Sequence, residues 1–187
     1  MATGIRSGTS NNALQVNGND VLIYDAGGNI TIPSGSLTPN QTAGIVGTTT
    51  NNNAVAGSIG EYGEVTVFSG ASITLTSNVA ANICSFTLGP GDYDVYGVIG
   101  LTIAATTVLT YATSGASLVS GTLSGNLNDV TFYSTSTAFG AQITPQVALI
   151  TKRMSLASTT TIYLVVQAVF SVSTVYAYGV LQYRRRR

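Results

Sequence analysis

Apolar and polar positions alternate along most of this chain, in short runs separated by turns of small residues. A period of two is that of a β-strand with one face turned inward, not of a helix. From Glu61 onward the runs are regular. Glu64–Phe68 comes first, then Ser72–Thr76 with Ile73 and Leu75 on one face, then Asn82–Leu88 with Cys84, Phe86 and Leu88 together. Gly89-Pro90-Gly91 reads as a turn, because proline presets φ and glycine permits a positive one. Asp92–Ala104 follows with Tyr93, Val95 and Ile99 facing one way, and Thr107–Tyr111, Asp129–Ser134, Ala141–Met154, Thr161–Val172 and Thr174–Tyr183 complete the set. Pro145 predicts a split, bulged or edge strand, since it has no N–H to give a ladder. No run has the 3.6-residue period of an amphipathic helix. Many short strands with frequent turns predict an all-β sandwich or jelly roll.

The first sixty residues differ. They are rich in Gly, Asn, Thr and Ser and predict only brief strands at Ala13–Val16, Val21–Tyr24 and Asn29–Ile32. Asn17-Gly18-Asn19-Asp20 and Ala26-Gly27-Gly28-Asn29 have the composition of hairpin turns. Pieces this short cannot bury a core alone and need a partner surface. Val16, Val21, Ile23, Tyr24, Ile30 and Ile32 are the apolar residues available for it. Pro39–Ala56 reads as a linker or extended arm. The expected organisation is therefore an arm and linker over 1–60 and a body over 61–187.

The last two strands are apolar on both faces. In Thr161–Val172, Ile162, Leu164, Val166, Ala168 and Phe170 lie opposite Tyr163, Val165, Gln167 and Val169; in Thr174–Tyr183, Tyr176, Tyr178 and Val180 lie opposite Val175, Ala177, Gly179 and Leu181. An antiparallel sandwich strand ordinarily leaves one face wet. The second apolar face calls for a second cover, and a subunit interface through Tyr163, Val165, Val169, Tyr176, Tyr178 and Val180 is the simplest.

Composition narrows the function. Charged residues make up 7% of the 187, against about 25% in an ordinary soluble domain. Such a charge-poor, β-branched chain would aggregate as an open sheet, so closed sheets with buried edges are expected. Histidine is absent and Cys84 is the single cysteine, so Ser-His-Asp and Cys-His catalysis, an internal disulfide and a Cys/His metal site are all excluded. Cys84 itself reads as a buried core thiol. The start lacks the apolar stretch of a secretion signal, and no run reaches the length of a membrane span. Synthesis in a cytoplasm without secretion is the expectation. Seven basic and seven acidic residues cancel, but four of the basic ones are Arg184, Arg185, Arg186 and Arg187. That run is a candidate anion or partner contact, or else a solvated tail. With no other basic cluster, nucleic-acid binding is not expected.

Two carboxylate groupings have chemical potential. Asp92 and Asp94 alternate onto one strand face and could share a Ca²⁺ ion, although acids at a strand start more often bond turn amides; Lys152 or Arg153 is the available ion-pair partner. Glu61 and Glu64 with Asp92 or Asp129 could supply a glycosidase pair, but a sugar cleft would want more polar residues and a tryptophan platform. The expectation is no enzyme, no cofactor and no resident metal.

Leu75, Thr76, Ser77, Ala80, Ala81, Asn82, Ile83, Ser85, Leu88, Gly91, Asp92, Tyr93, Asp94, Val95 and Gly97 match a segment that resembles one found in bacteriophage structural proteins. This chain departs from it in Tyr93, where tryptophan is frequent. The ending YAYGVLQYRRRR is similar to that family's close, and ALQVNGNDVLIYDAGGNITIPSG to its β-rich attachment segments. The resemblance implies a jelly-roll knob of the TNF-like and C1q-like kind, forming a homotrimer. It implies a virion part, a head decoration, head fibre, collar spike or tail appendage, that docks on a major capsid, collar or other virion protein through residues 1–60. Host surface glycan is a further partner it brings, through loops over Ala112–Asn128 and Ser134–Gly140.

Overall fold

The computed structural model describes residues 3–7, 11–16, 19–25, 30–32, 49–126, 128–135 and 141–187. The chain divides into two compact units, Met1–Thr50 and Asn51–Arg187. Residues 51–60, grouped with the first sixty by composition, thus belong to the second unit.

The first unit is a four-stranded antiparallel meander, β1 (Thr3–Ser7), β2 (Asn11–Val16), β3 (Asn19–Asp25) and β4 (Ile30–Thr31), in sheet order β1-β2-β3-β4. Three of the strands fall where the alternation predicted them. β1 was not anticipated, because Ile5 is its one large apolar residue and no alternation can be read from it. Of the turns expected at 17–20 and 26–29, residues 17–18 and 26–29 lie outside the described residues, as do residues 39–48 of the linker expected over 39–56, while Asn19 and Asp20 begin β3.

The second unit is a sandwich of two antiparallel sheets. Its strands are β5 (Tyr62–Val67), β6 (Ile73–Thr74), β7 (Ala81–Leu88), β8 (Gly91–Ile103), β9 (Val108–Ser117), β10 (Thr131–Ser134), β11 (Gln146–Ala148), β12 (Lys152–Leu156), β13 (Thr160–Ser171) and β14 (Val175–Arg185). One sheet runs β10-β9-β13-β7; the other runs β5-β14-β8 with β11 and β12 in line along the far edge of β8 and β6 beside β14. Counting β5 with β6, and β11 with β12, each as one broken strand gives eight strands that cross between sheets at every step except the β9–β10 hairpin. That is the strand order of a jelly roll. Among the described residues the helical turn is a single 3-10 turn, Ser69–Ala71.

The core lies between the sheets. Tyr93, Val95, Ile99, Leu101 and Ile103 of β8 and Val175, Ala177 and Leu181 of β14 face Leu109, Ala112 and Ala116 of β9 and Ile162, Leu164, Val166 and Ala168 of β13. β9 runs six residues beyond Tyr111, so Ala112–Ser117 is strand and not the loop expected there. Its buried residues there are Ala112, Ser114, Gly115 and Ala116, too small to register as an apolar alternation. The run expected over Ala141–Met154 is interrupted at Pro145, between the Ile143 bridge and the edge strand β11, and again after Ala148. Leu149 bonds the Gly97 carbonyl across the second break (2.9 Å), while Pro145 precedes the edge strand β11 and uses its carbonyl to accept from Leu101 N (3.0 Å).

Candidate functional site

Antiparallel pairing of β14 with β8 sets Arg184 opposite Asp94 and Arg185 opposite Tyr93. The arginine run therefore lands beside the two aspartates, and β12 brings Arg153 from the other side of β8. Asp92 is 5% exposed. Arg153 grips it with both prongs of its guanidinium, Nε to Oδ1 and Nη2 to Oδ2 at 2.8 Å each, and Arg187 adds a contact to Oδ2 at 3.0 Å. Arg186 reaches Asp94 at 3.3 Å. The aspartates are thus held by arginines, not by the turn amides expected of a strand start. A cation at Asp92 and Asp94 would have to displace those guanidiniums. Among the described residues no three His, Cys, Asp or Glu side chains stand where they could hold a metal. Of the two basic partners the sequence offers, Arg153 takes Asp92; Lys152, one residue earlier on the strand, goes instead to Asp129 at 3.0 Å.

Arg185 behaves differently from its neighbours. It points to the inner side, lies 4.6 Å over the Tyr93 ring, bonds the Tyr93 hydroxyl and pairs with Glu61 at 2.9 Å. Glu61 also accepts from Gly57 N (2.8 Å) and Tyr183 Oη (3.3 Å). Arg185, Arg186 and Arg187 of the run each meet a carboxylate, while Arg184, Arg186 and Arg187 are exposed. The carboxylates weighed as a glycosidase pair all have their own partners, with Glu64 held by Tyr62 Oη and Gln182 Nε2 (3.0 Å).

These contacts predict an acid limit. The Arg153 hydrogen bonds and the nearby arginine charges hold the Asp92 carboxyl below its ordinary 3.8. Burial pushes Glu61 up, but Arg185 and the Gly57 amide outweigh it and leave the group below 4.5. A carboxyl with a lowered folded pKa stabilises fully above its unfolded value and loses that contribution as pH falls through the folded one. Denaturant midpoints should coincide at about pH 7 and about pH 5 and fall below about pH 4. Asp92→Asn should start lower and show a shallower acid limb; an unchanged limb would count against the arginine contacts of this carboxylate.

The residues expected at a subunit interface fall on two opposite faces. Tyr176, Tyr178 and Val180 lie on the outer face of the six-stranded sheet, half-buried, with Tyr96 and Val98 of β8. Tyr163 and Val169 lie on the outer face of the other sheet. Val165, also expected there, is 0% exposed within one chain. The segment between β9 and β10 returns over this sheet beside it: Gly121 N bonds Asn82 Oδ1 (2.8 Å), Asn82 Nδ2 bonds Ser120 Oγ (2.7 Å), and the Asp129 carbonyl abuts Gly115, the cross-strand partner of Val165. Part of the second cover that the two-faced pattern demands is thus intramolecular.

Cys84 packs against the core beside Phe86, and burial pushes its thiol up to about 11. Of the apolar residues proposed for attachment, Val16 lies in β2, Val21, Ile23 and Tyr24 in β3 and Ile30 in β4; Ile32 follows β4. Ile23 and Ile32 are half-buried and Ile30 is 64% exposed. Part of the loop at Ser134–Gly140, residues 136–140, lies outside the described residues.

The chain matches no known protein family and no curated protein. Among solved structures it is similar to the infectious bursal disease virus Gx strain (TM-score 0.40, 15% identity, 83% of this chain and 37% of that one). It is also similar to the T13 particle of that virus (0.46, 12%, 94% and 40%) and to its VP2 subviral particle (0.44, 14%, 94% and 42%). This chain spans well under half the length of each of those proteins. Likeness of that size leaves the strand order as the basis for the fold.

Proposed function

We propose that this chain is a structural protein of a bacteriophage virion, a homotrimer that attaches to head or neck through its first unit and carries the sandwich outward. The observation that supports it most is the strand order. The segment Leu75–Gly97 resembles phage structural proteins that imply a jelly-roll body, and Asn51–Arg187 folds in that order. The aromatic outer face of the six-stranded sheet supports the subunit contact, and the strands carrying Val16, Val21, Ile23, Tyr24, Ile30 and Ile32 are the attachment surface. Docking to an assembled major capsid or collar protein would stabilise the shell by mass action. This role needs no cofactor and no catalytic step, and it places the protein in the virion after synthesis in the host cytoplasm.

A second reading, a tail adhesin for a host receptor or glycan, has one observation in its favour. Phe132 is 58% exposed and stacks on Tyr111 (5.4 Å between ring centres), with Thr113 and Gln167 lining the same cleft of about 340 Å³. Imaging native particles separates the readings. Decoration predicts hundreds of copies at regular shell positions; a few copies at the tail tip would overturn it for the adhesin. Adding back protein lacking residues 1–40 should leave the trimer intact and abolish binding to particles, and undiminished binding would remove the attachment role of the first unit.

A further inference from the structure

The stretch 51–60 joins the first unit to the sandwich, and it is folded without apolar burial. Nearly all of it is exposed, including Val55 at 77% and Ile59 at 75%. It forms two successive turns, closed by Ser58 N to Val55 O (2.9 Å) and Glu61 N to Ser58 O (3.0 Å), with Gly57 at φ +89° and Gly60 at φ +91°. Glycine takes that backbone region without the strain of a Cβ. Hydrophobic packing cannot hold such a segment, so its polar contacts decide whether it stays down.

Those contacts converge on one residue pair. Glu61 accepts from Gly57 N and from Arg185 Nε on the same oxygen, at 2.8 and 2.9 Å. The backbones of the same regions exchange bonds, Gly60 N to Arg185 O (3.1 Å) and Arg185 N to Glu61 O (2.8 Å). Asn53 adds a brace, accepting from Tyr62 N (3.0 Å) while donating to the Tyr62 carbonyl. The Arg185 guanidinium is itself fixed from the far side by Tyr93 and by the Pro90 carbonyl (3.2 Å). Gly91 leaves it room, since a Cβ there would collide with Nη1.

We propose that Glu61 and Arg185 form a clamp whose closure pins the connector 51–60 to the end of β14, and whose opening frees the connector while the sandwich stays folded. The clamp belongs to Asn51–Arg187 and stands whether or not the protein is a virion part. Both side chains are close to buried, 13% and 11% exposed, so the pair is shielded from the screening that weakens surface ion pairs. The connector holds to the sandwich through polar contacts of this kind, whereas the sandwich keeps its whole apolar core.

Limited proteolysis of the full chain with thermolysin, which cuts before exposed apolar residues, tests this, with hydrogen exchange as the second measurement. In Glu61→Gln and Glu61→Ala, cleavage before Val55 or Ile59 should rise about tenfold or more, because connector cleavage tracks the open population. Exchange of the β13 amides should remain as in the parent. Arg187→Ala, on an exposed arginine of the same run, should leave connector cleavage unchanged. The clamp is refuted if the Glu61 variants cut at the parental rate, or if β13 loses protection in step with the connector, since the pair would then serve global stability.

Discussion

Gly97→Ala should cost about 3 kcal/mol of stability, and Gly97→Val should yield no cooperatively folded protein. Gly97 sits on the inner side of β8, paired with Leu181 of β14. A Cβ at this position would run into the Val180 carbonyl and crowd Leu181 Cα (3.3 Å). Both are backbone atoms of the neighbouring central strand, so relief requires moving β14, which also pairs with β5 and β6. Gly179 repeats the arrangement from the other strand, its Cβ position lying 2.5 Å from the Val98 carbonyl and 3.2 Å from Leu164 Cδ2. The two strands thus approach too closely at the centre of the sandwich for any side chain. Gly70→Ala is the control, with nothing within 4 Å of the added methyl, and it should unfold like the parent. Thermal unfolding followed by circular dichroism reads all three; a parental midpoint in Gly97→Ala would mean that the strands are not so closely set.

The same geometry explains the most legible part of the sequence. Gly91-Asp92-Tyr93-Asp94-Val95 and Arg184–Arg187 are some ninety residues apart and read as two separate features, a turn-and-strand signature and a basic tail. In the fold they are one unit. Asp92 and Asp94 take Arg153, Arg187 and Arg186, Tyr93 lies under Arg185, and Gly91 leaves space for it. Alternation placed Asp92 and Asp94 on one face and Tyr93 on the other correctly. It carried no information on which distant strand would lie alongside, because register between non-adjacent strands is fixed by the whole topology. The Glu61–Arg185 pair was invisible for that reason. Scarcity of charge was the available hint, since a charge-poor chain that half-buries a carboxylate must bring it a partner.

Strand existence was legible wherever large apolar residues alternate, as in β7, β8, β13 and β14. It failed where the inward residues are small, as at Ala112, Ser114 and Ala116, or where one apolar residue stands alone, as at Ile5. The two-faced strands were read as needing two covers. What the pattern could not say is that one chain supplies part of the second cover itself, the segment leading to β10 returning beside the buried Val165. A loop returning over a sheet leaves no periodic trace.

That division gives the proposed trimer a contact that can be tested. In the proposed trimer, the double variant Tyr178→Asp, Val180→Asp should sediment as a monomer of 19.2 kDa, while Tyr163→Asp keeps three times that mass. Tyr178 and Val180 line a groove of about 510 Å³ with Thr66, Phe68, Val98 and Gln146 on the outer face of the six-stranded sheet. The Tyr178 ring lies flat over Gly100, so aromatic surface is spread along the strands, not raised above them. Phe68 at its edge is 74% exposed. A carboxylate placed centrally in such a contact would be desolvated without a partner, and each central anchor lost costs about 2 kcal/mol or more. Tyr163 sits on the opposite face, where the β9–β10 segment already returns beside Val165 and leaves less apolar surface to bury. Far-UV circular dichroism should be unchanged in all variants, because none of these side chains faces the core. Dissociation by Tyr163→Asp with persistence in the double variant would move the interface to the other sheet, and a parental chain sedimenting as a monomer would remove the trimer altogether.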